Sequence, residues 1–242
     1  MFEPKEFFNV ETTLFKSLLQ GADYVWDGLK NIAPYIAKNI TPNISAIPLD
    51  SLSVKKTTLL KNNAKIFQGA YICGDKIEIR ENAVIEPGAY IGNNSIIGPN
   101  TQVRHGAYVR GNVITGPDCV IGHCSEVKNS CLLGNSKAGH FAYIGDSILG
   151  SVNLGAGTKL ANLKLSGTEI KIKYENRSFQ TGLRKLGAIM ADGVQTGCNS
   201  VTSPGTILSK NTLLYPNTTA MGYYPPGTII KLRQEILKET LK

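Results

Sequence analysis

Three histidines are spaced almost regularly along the middle of the chain and could support proton transfer or metal binding. They are His105, His123 and His140, and the two gaps between them are nearly equal. A neutral imidazole accepts a proton near neutral pH, because its unperturbed pKa is about 6.5, and it is also a common metal ligand. A lone histidine is more often structural, so the role of each ring depends on the residues around it.

A second chemical feature is a basic segment that follows the histidines. Residues 159–185 hold seven basic residues and two acidic ones, a net charge of +5 out of +8 for the whole chain. The basic residues are Lys159, Lys164, Lys171, Lys173, Arg177, Arg184 and Lys185. Such a segment is either a solvated loop or a binding site for an anion. Arg can hold a phosphate through two hydrogen bonds, whereas Lys acts as a point charge, so we expect a small anionic ligand here.

The elements that must position these residues follow a six-residue repeat. Ile, Val or Leu occupies nine of the ten positions reached by steps of six from Ile79 to Leu133. From Ala83 to Cys131, the residue two positions before each aliphatic position is small in most repeats. Gly, Asn or Asp stands three positions after the aliphatic, at 82, 88, 94, 100, 106, 112 and 118. Because Gly, Asn and Asp tolerate positive φ, each repeat predicts a short strand that ends in a corner.

The repeat as a whole predicts an all-β solenoid, a parallel β-helix of hexapeptide repeats. No coil can bury its own interior, so successive coils must stack about 4.8 Å apart, with the aliphatic and small residues pointing inward. The period returns from Gly193 to Asn217. Residues 166–185 break it, and the alternation of polar and apolar residues over 168–174 predicts a hairpin-like excursion that carries most of the basic segment.

Both ends of the chain predict helices rather than strands. Residues 12–38 predict two helical pieces that break near Gly21, with Pro34 weakening the second. Residues 40–50 form a linker, and 226–242 are a helix candidate. The predicted domains are therefore residues 1–50, a β-helix over 51–225 with an excursion at 166–185, and a C-terminal helix over 226–242. We expect the helices to cover the open ends of the solenoid.

Composition excludes several classes of protein. Hydrophobic residues make up 42% of the 242 residues and charged residues 18%, which is typical of a soluble globular chain. No apolar run is long enough to span a membrane, and the N-terminus lacks the pattern of a secretory signal, so we expect a cytoplasmic protein without membrane or nucleic-acid partners. The five cysteines form no CxxC pair, which excludes a zinc ribbon. Cys119 and Cys131 fall among the small inward residues and are predicted to pack in the core.

The region around His140 carries strings that are typical of one family. They are Lys137-Ala-Gly-His140, Tyr143-Ile-Gly-Asp146, Val152-Asn-Leu-Gly-Ala-Gly-Thr158 and Thr181-Gly-Leu-Arg-Lys-Leu-Gly187. With them, residues from about 60 to 222 resemble the C-terminal hexapeptide-repeat acetyltransferase domain of bifunctional N-acetylglucosamine-1-phosphate uridyltransferase/glucosamine-1-phosphate acetyltransferase. The resemblance implies a left-handed β-helix, a homotrimer with sites completed between subunits, and acetyl-CoA as co-substrate without a metal.

The resemblance also implies roles for individual residues. His140 matches the catalytic base, and Tyr143 and Asn153 match residues beside it at the acceptor. Positions that match or are expected to hold the acceptor phosphate are Arg104, Lys128, Arg184 and Lys185. Positions on the acetyl-CoA side are Gly155, Ala156, Asn162 and Cys198.

The chemistry of amine acetylation fits these residue types. An amine attacks a thioester only in its neutral form, and a histidine that removes its proton contributes roughly 10² to 10⁴ in rate. Exposed N–H groups of the Gly155-Ala156-Gly157 turn could stabilise the oxyanion that develops on the carbonyl. We therefore expect an acyl-CoA-dependent N-acyltransferase that transfers acetyl groups to an amino-sugar phosphate such as glucosamine-1-phosphate, or to a nucleotide-linked amino sugar.

Other interpretations stay open at this point. The hexads are shared with long-chain acyltransferases of the lipid A type. The chain shows no Gly-rich nucleotide loop, so it is not expected to make a nucleotide sugar itself, and it could instead be a non-catalytic β-helix partner of a separate sugar nucleotidyltransferase. A metal site of the γ-carbonic-anhydrase type would need two histidines separated by four residues, which the chain lacks. Lys159, Lys173 and Lys185 are alternatives for the lysine that completes the acceptor site.

Overall fold

Three sheets wrap around one interior and together make a β-solenoid of about nine turns. Their strands pair in parallel, except for the antiparallel pairs made by the first strands of sheets A and B. The computed structural model describes residues 1–11 and 13–240. Each sheet is a stack of short strands, one from most coils. Parallel pairing gives each inner coil a backbone partner on both sides, which a single coil could not supply.

The three sheets are named A, B and C. Sheet A consists of Leu49–Asp50, Ser53–Val54, Tyr71–Cys73, Tyr90–Gly92, Tyr108–Val109, Glu126–Lys128, Tyr143–Gly145, Lys159–Leu160, Val201–Thr202 and Thr219–Ala220. Sheet B consists of Thr58–Leu59, Lys65–Ile66, Val84–Ile85, Gln102–Val103, Val120–His123, Lys137–His140, Asn153–Leu154, Gln195–Thr196, Leu213–Leu214 and Ile229–Ile230. Sheet C consists of Ile77–Ile79, Ser95–Ile97, Val113–Thr115, Ser130–Leu132, Ile148–Leu149, Ala188–Met190, Thr206–Leu208 and Tyr223–Tyr224. Each regular coil visits the sheets in the order B, A, C, and a corner is named by the two sheets that it joins.

The predicted corner residues adopt the backbone conformation that the repeat requires. All seven between Asn82 and Asp118 have positive φ, from 50° to 76°, and the five from Gly193 to Asn217 have φ between 55° and 81°. The inward columns are equally regular, because Ile79 through Val127 at steps of six are all fully buried or nearly so. The predicted solenoid is thereby confirmed.

The length of the coils is not constant. A regular coil of three hexads leads from Val103 to its partner Ile121, but the coil from His123 to its partner His140 is one residue shorter. Beyond Lys159, the excursion lengthens the path to the next strand of sheet A, where Val201 is the partner. Because side chains alternate between the two faces of a strand, a coil that is one residue shorter reverses the faces that a strict period of six would assign.

The prediction that Cys131 and Leu133 point into the solenoid is wrong for this reason. Leu132, and not Leu133, pairs with Thr115 and enters the interior. Cys131 and Leu133 instead belong to a second cluster of buried apolar side chains, which lies on the outside of sheet C and is separate from the cluster in the solenoid interior. Cys119 packs in the interior as predicted, and burial raises the pKa of its thiol to about 12.

The N-terminal residues form helices that break at Gly21, as predicted. The helices are Pro4–Phe7, Lys16–Leu19, a short 3₁₀ helix at Val25–Asp27, and Gly28–Asn39, which continues through Pro34. Gly21 has φ of +77°. Thr12, where the first predicted piece begins, lies outside the described residues. The longest helix has 12 residues, and none in the described ranges is long and apolar enough to cross a bilayer.

These helices do not cover an end of the solenoid, which corrects the prediction. They lie against the outer face of sheet C, whose outward residues include Ile96, Ile114, Ile148, Ile189 and Ile207. The covering residues from the N-terminal segment are aromatic or aliphatic: Phe2, Phe7, Phe8, Phe15, Leu18, Leu19, Val25, Trp26, Leu29, Ile32 and Ile36. A sheet face made of isoleucines is unfavourable in water, so burying it outweighs covering a small end.

The excursion forms the predicted hairpin. Strands Lys171–Tyr174 and Arg177–Gln180 pair antiparallel, and Ile170 and Ile172 are buried in the same outer cluster. Its aromatic side chains reach the N-terminal segment, because the Phe2 ring lies edge-on to Phe179 at 5.2 Å between ring centroids. The hairpin is therefore fixed to the outside of sheet C.

The predicted C-terminal helix is wrong over the described residues. Ile229–Ile230 adds a last strand to sheet B by pairing with Leu213–Leu214, and residues 231–240 have no regular secondary structure. Ile236 and Leu237 are exposed. An isolated helix of this length is marginal in water, and here no buried face supports one. Residues 241 and 242 of the predicted helix lie outside the described residues.

Candidate functional site

His140 lies at the B–A corner, at the end of the sheet B strand Lys137–His140. Gly157 N–H donates to the His140 carbonyl oxygen at 3.0 Å, and Asn199 N–H donates to the Ala156 carbonyl oxygen at 2.8 Å. His140, Ala156 and Cys198 therefore occupy the same corner in three successive coils. The structure thus brings together the predicted base and two predicted acetyl-CoA residues.

The three histidines share this corner but differ in what holds their rings. His105 Nδ1 lies 2.7 Å from the Pro87 carbonyl oxygen, and His123 Nδ1 lies 2.9 Å from the His105 carbonyl oxygen. The His140 ring nitrogens make no hydrogen bond to any described residue, and the ring is exposed. Of the three imidazoles, His140 is the one whose two nitrogens are both open to a ligand.

A metal centre finds no support in this column. Among residues 1–11 and 13–240, no group of three or more His, Cys, Asp or Glu side chains could hold a metal ion. The rings of His105 and His123 stack 5.7 Å apart, so they lie face to face and do not converge on one point.

The Gly155–Gly157 turn offers fewer donors than predicted. Gly155 N–H donates to the Thr196 carbonyl oxygen at 2.9 Å, and Gly157 N–H donates to the His140 carbonyl oxygen. Ala156 N–H has no partner within the described chain. A Cβ on Gly155 would lie 2.4 Å from the Gly197 carbonyl carbon, so the glycine is needed for the close approach of the coils. The turn presents one free N–H next to His140.

Tyr143 belongs to a hydrogen-bonded network at the A–C corner. Its hydroxyl donates to Asn162 Oδ1 at 3.4 Å, and the Asn162 amide donates to the Asp146 carboxylate. Gly145 leaves the room for this contact, since a Cβ there would lie 2.6 Å from Tyr143 Oη. Burial chiefly, with the Glu126 and Asp146 carboxylates adding to it, raises the pKa of Tyr143. The hydroxyl is therefore a protonated donor at neutral pH.

Asp146 is the centre of that network. Its side chain is 7% exposed and its φ is +49°. Lys128 Nζ lies 3.1 Å from Asp146 Oδ2, and Asn129 Nδ2 donates to Oδ1 at 2.8 Å. The carboxylate thus fixes Lys128 and Asn162 side by side at the A–C corner.

Arg104 does not lie with Lys128. It follows a sheet B strand and donates to Gln102 Oε1 at 2.9 Å and 3.1 Å, at the corner that holds His140 two coils later. Arg110 is the arginine one coil before Lys128, and both line a shallow depression with Asn93, Asn94, Gly111, Asn112 and Asn129. The signal was available in the sequence, because three hexads lead from Arg110 to Lys128, whereas Arg104 stands one hexad earlier and falls on another face.

Besides Asn162, the basic segment brings Lys185 to this corner. The chain returns from the hairpin with Lys185 bridged to Leu163, and Leu186 N–H donates to the Asn162 carbonyl oxygen at 3.0 Å. Arg184 is exposed beside Gly167. Lys171 and Lys173 are exposed on the hairpin, which packs on the outside of sheet C. Lys159 lies on sheet A, and its Nζ donates to the Gly157 carbonyl oxygen at 2.7 Å. The cations of the segment are therefore not gathered in one place.

Asn153 lies on the sheet B side of the corner. It pairs in register with Lys137 and lines a second shallow depression with Asn135, Ser151 and Gln195. The candidate site therefore extends from sheet B, over the corner at His140, and across sheet A to the network at Asp146. Five residue steps separate His140 from Gly145, a span of at most about 17 Å.

Known proteins of related sequence share this part of the chain. The family model for the GMPPB C-terminal domain matches residues 91–180. The chain is 37% identical over 142 residues to a bifunctional sugar-1-phosphate nucleotidylyltransferase/acetyltransferase of Sulfurisphaera tokodaii, an alignment that covers 58% of this chain and 35% of that protein. It is 32% identical over 194 residues to the bifunctional protein GlmU of Methanococcus vannielii, an alignment that covers 78% of this chain and 39% of that protein.

These matches confirm the predicted resemblance to the acetyltransferase part of bifunctional sugar-1-phosphate enzymes. The chain spans well under half the length of these curated relatives. Among solved structures, a hexapeptide transferase family protein from Anaplasma phagocytophilum aligns over 61% of this chain and 74% of that chain, with 17% identity and a TM-score of 0.30.

Proposed function

We propose that the chain is an acyl-CoA-dependent N-acetyltransferase that acts on the amine of an amino-sugar phosphate, such as glucosamine-1-phosphate. The observation that carries this proposal is the His140 imidazole, whose ring nitrogens have no partner in the described chain and which adjoins the free Ala156 N–H. The choice of an acetyl donor and a sugar-1-phosphate acceptor is supported by the similarity to a bifunctional sugar-1-phosphate nucleotidylyltransferase/acetyltransferase.

His140 acts as the general base. The amine must lose a proton as it attacks the thioester carbonyl, and an exposed imidazole with an open nitrogen can take it. The carbonyls that hold His105 and His123 fix Nδ1 as the protonated nitrogen in those rings and restrain the rings, whereas His140 can turn toward a substrate. Acetyl-CoA supplies the activated acetyl group when bound.

Ala156 N–H stabilises the negative charge that develops on the carbonyl oxygen. It lies one coil beyond His140 and is the one amide of the Gly155–Gly157 turn without a backbone partner. A preorganised donor of this kind commonly contributes roughly 10² to 10³ in rate. Cys198, one coil further on, is exposed along the same corner and lies beside the path that the remainder of the donor would follow.

Lys128, Arg110 and Lys185 hold the acceptor phosphate at the A–C corner. Asp146 and Glu126 pair with Lys128 and Arg110 at 3.1 Å and 2.8 Å, which fixes both cations in place before an anion arrives. A guanidinium and two ammonium groups match a phosphate monoester better than a neutral sugar. Tyr143 and Asn162 contact the sugar between the two corners, and Tyr143 Oη accepts from a sugar hydroxyl because its own proton is donated to Asn162. Asn162, predicted on the acetyl-CoA side, is assigned here to the sugar because it lies at the A–C corner with Asp146.

A homotrimer would complete the site. His140 and the phosphate-binding cations lie on opposite edges of sheet A, at the B–A corner and the A–C corner. Two copies in contact would bring the B–A corner of one against the A–C corner of the next. Sheet C is covered by the N-terminal segment of its own chain, so sheets A and B remain for these contacts.

The test is an acetyl-transfer assay with glucosamine-1-phosphate, galactosamine-1-phosphate and their nucleotide-linked forms. His140→Ala should lower kcat by about 100-fold or more, while His123→Ala, in the same corner one coil earlier, should lower it less than about threefold. Acetyl-CoA binding measured by calorimetry should survive in both variants. Equal activity of His140→Ala and the wild type would contradict the mechanism, and a wild type that binds no acetyl-CoA would favour a non-catalytic scaffold.

A further inference from the structure

One corner of the solenoid repeats a left-handed backbone conformation in eight coils. The residues at this position of the B–A corner are Gly69, Gly88, Gly106, Cys124, Phe141, Gly157, Asn199 and Asn217, all with positive φ. Six of the eight are Gly or Asn, which adopt this conformation at low cost. Phe141, with φ of +53°, is the only aromatic residue in the column.

The fold gains little from Phe141. A bulky side chain at positive φ is a strained outlier, because its Cβ crowds the backbone. Phe141 is 55% exposed and belongs to neither hydrophobic cluster. A residue that is strained and poorly buried indicates a role outside stability.

The ring contacts of Phe141 point to that role. It lies edge-on to His123 at 5.3 Å between centroids, and its centroid is 6.4 Å from that of His140. Its N–H donates to the His123 carbonyl oxygen at 2.8 Å, the same backbone contact that Gly157 N–H makes to His140 one coil later. The Phe141 ring therefore lies beside the candidate base.

We propose that Phe141 forms the apolar wall of the acyl-transfer centre, lying against the acetyl thioester and excluding water from it. This inference rests on the proposed function. The amine that His140 deprotonates must lie within reach of the thioester carbonyl, so the acetyl group sits beside His140 and hence beside the Phe141 ring. Water at that place would attack the thioester instead of the amine, with the His140 imidazole taking its proton and the CoA thiolate leaving, and the acetyl group would be lost as acetate.

The experiment compares Phe141→Asn with Cys124→Asn. Cys124 holds the same corner one coil earlier with φ of +51° and is exposed, so the two substitutions make the same change of backbone preference. Neither variant should lose thermal stability, because Asn is the residue found at this corner in two other coils. Only Phe141→Asn should lower kcat/KM for acetyl transfer, by about tenfold or more, and raise the ratio of acetyl-CoA hydrolysis to transfer. Phe141→Leu should restore most of the transfer.

Several results would overturn this proposal. One is a Phe141→Asn variant with wild-type kcat/KM and hydrolysis ratio, and another is an equal loss of transfer in Cys124→Asn. A fall in Tm of more than about 4 °C, or a smaller assembly by light scattering, would assign Phe141 to folding or to subunit contact instead. If the wild type transfers acetyl groups and His140→Ala does not, these results leave the proposed function standing. A wild type without transfer to any acceptor would overturn both.

Discussion

Lys128 and Asp146 form an ion pair that joins two successive coils at the A–C corner. The Nζ to Oδ2 distance is 3.1 Å, and the side chains are only 17% and 7% exposed. Asp146 also accepts hydrogen bonds from Asn129 and Asn162, so its carboxylate has a partner on each side. Most surface ion pairs contribute little, but a pair that is this well covered leaves an uncompensated charge when one member is removed.

Asp146→Ala should therefore destabilise the protein by about 3 kcal/mol, since Lys128 would stay partly buried without its counter-charge. The matched control is Asp118→Ala. Asp118 also occupies a corner with positive φ, but it accepts one side-chain hydrogen bond, from Asn100. Thermal and urea unfolding of both variants checks the difference, and equal losses would show that the corner geometry matters and the ion pair does not.

Arg110→Ala and Lys128→Ala should each raise KM for the sugar phosphate about tenfold, because both line the same depression and an anion there loses a cationic partner. Arg104→Ala, on the neighbouring face, should change KM less than about twofold. Steady-state kinetics at two salt concentrations makes the measurement, since added salt should mimic the first two substitutions. A dominant effect of Arg104 would contradict the placement of the phosphate at the A–C corner.

Lys185→Ala should raise KM for the same acceptor, whereas Lys173→Ala should not. Lys185 follows the strand return beside Asn162, while Lys173 lies on the hairpin over sheet C. The pair separates a specific contact from the general positive charge of the basic segment. If both variants weaken binding equally, the segment acts through its net charge alone.

Stability should fall as the pH rises above about 10. A hydrogen bond to Cys73 chiefly, together with burial and the nearby Tyr108, raises the pKa of Tyr90 to about 12. The folded state then keeps a proton that the unfolded state releases, so the contribution is complete below about pH 10 and is lost as the pH rises toward about 12. Unfolding followed between about pH 9 and 11 should show a shallower decline for Tyr90→Phe. Ultraviolet titration should place the Tyr90 pKa lower in Cys73→Ala, and an unchanged value would rule out the thiol as its cause.

Light scattering should give three times the protomer mass of 26.1 kDa. The expectation follows from the proposed site, in which the base and the proposed phosphate-binding cations lie on opposite edges of one sheet. Mixing His140→Ala with Lys128→Ala should then restore part of the activity, because a mixed trimer contains sites with one intact residue from each chain. A monomer mass at micromolar concentration, or no restoration, would contradict a shared site.

The sequence was sufficient for the solenoid because one pattern governs it. Each corner needs a residue that tolerates positive φ, and Asn100 or Gly106 reveals that need directly. The pattern failed at Leu133, where one coil is a residue shorter and the faces exchange. It also could not place the N-terminal helices, because nothing local to Phe2 or Trp26 shows which sheet face they cover.

The candidate site was predictable to a smaller extent. The motifs marked His140 and Ala156 as candidates, and the structure puts both at one corner in successive coils. The depression at Arg110 required the three-hexad spacing of the coils to be applied to charged residues as well as to aliphatic ones. The free state of the His140 ring and of the Ala156 N–H depends on which backbone groups are already bonded in adjacent coils, and that information is absent from any single stretch of sequence.

The contact between Phe2 and Tyr223, with ring centroids 5.1 Å apart, joins the N-terminal segment to the last strand of sheet C. During synthesis, the segment that covers sheet C leaves the ribosome before any strand of that sheet has been made. Its aromatic side chains therefore stay exposed to water until sheet C forms, and the isoleucine face of sheet C is exposed until the segment packs on it. Contacts between residues so distant in sequence slow folding and leave apolar, aggregation-prone surface exposed until they form. The nascent chain should therefore depend on chaperones until its last coils are complete.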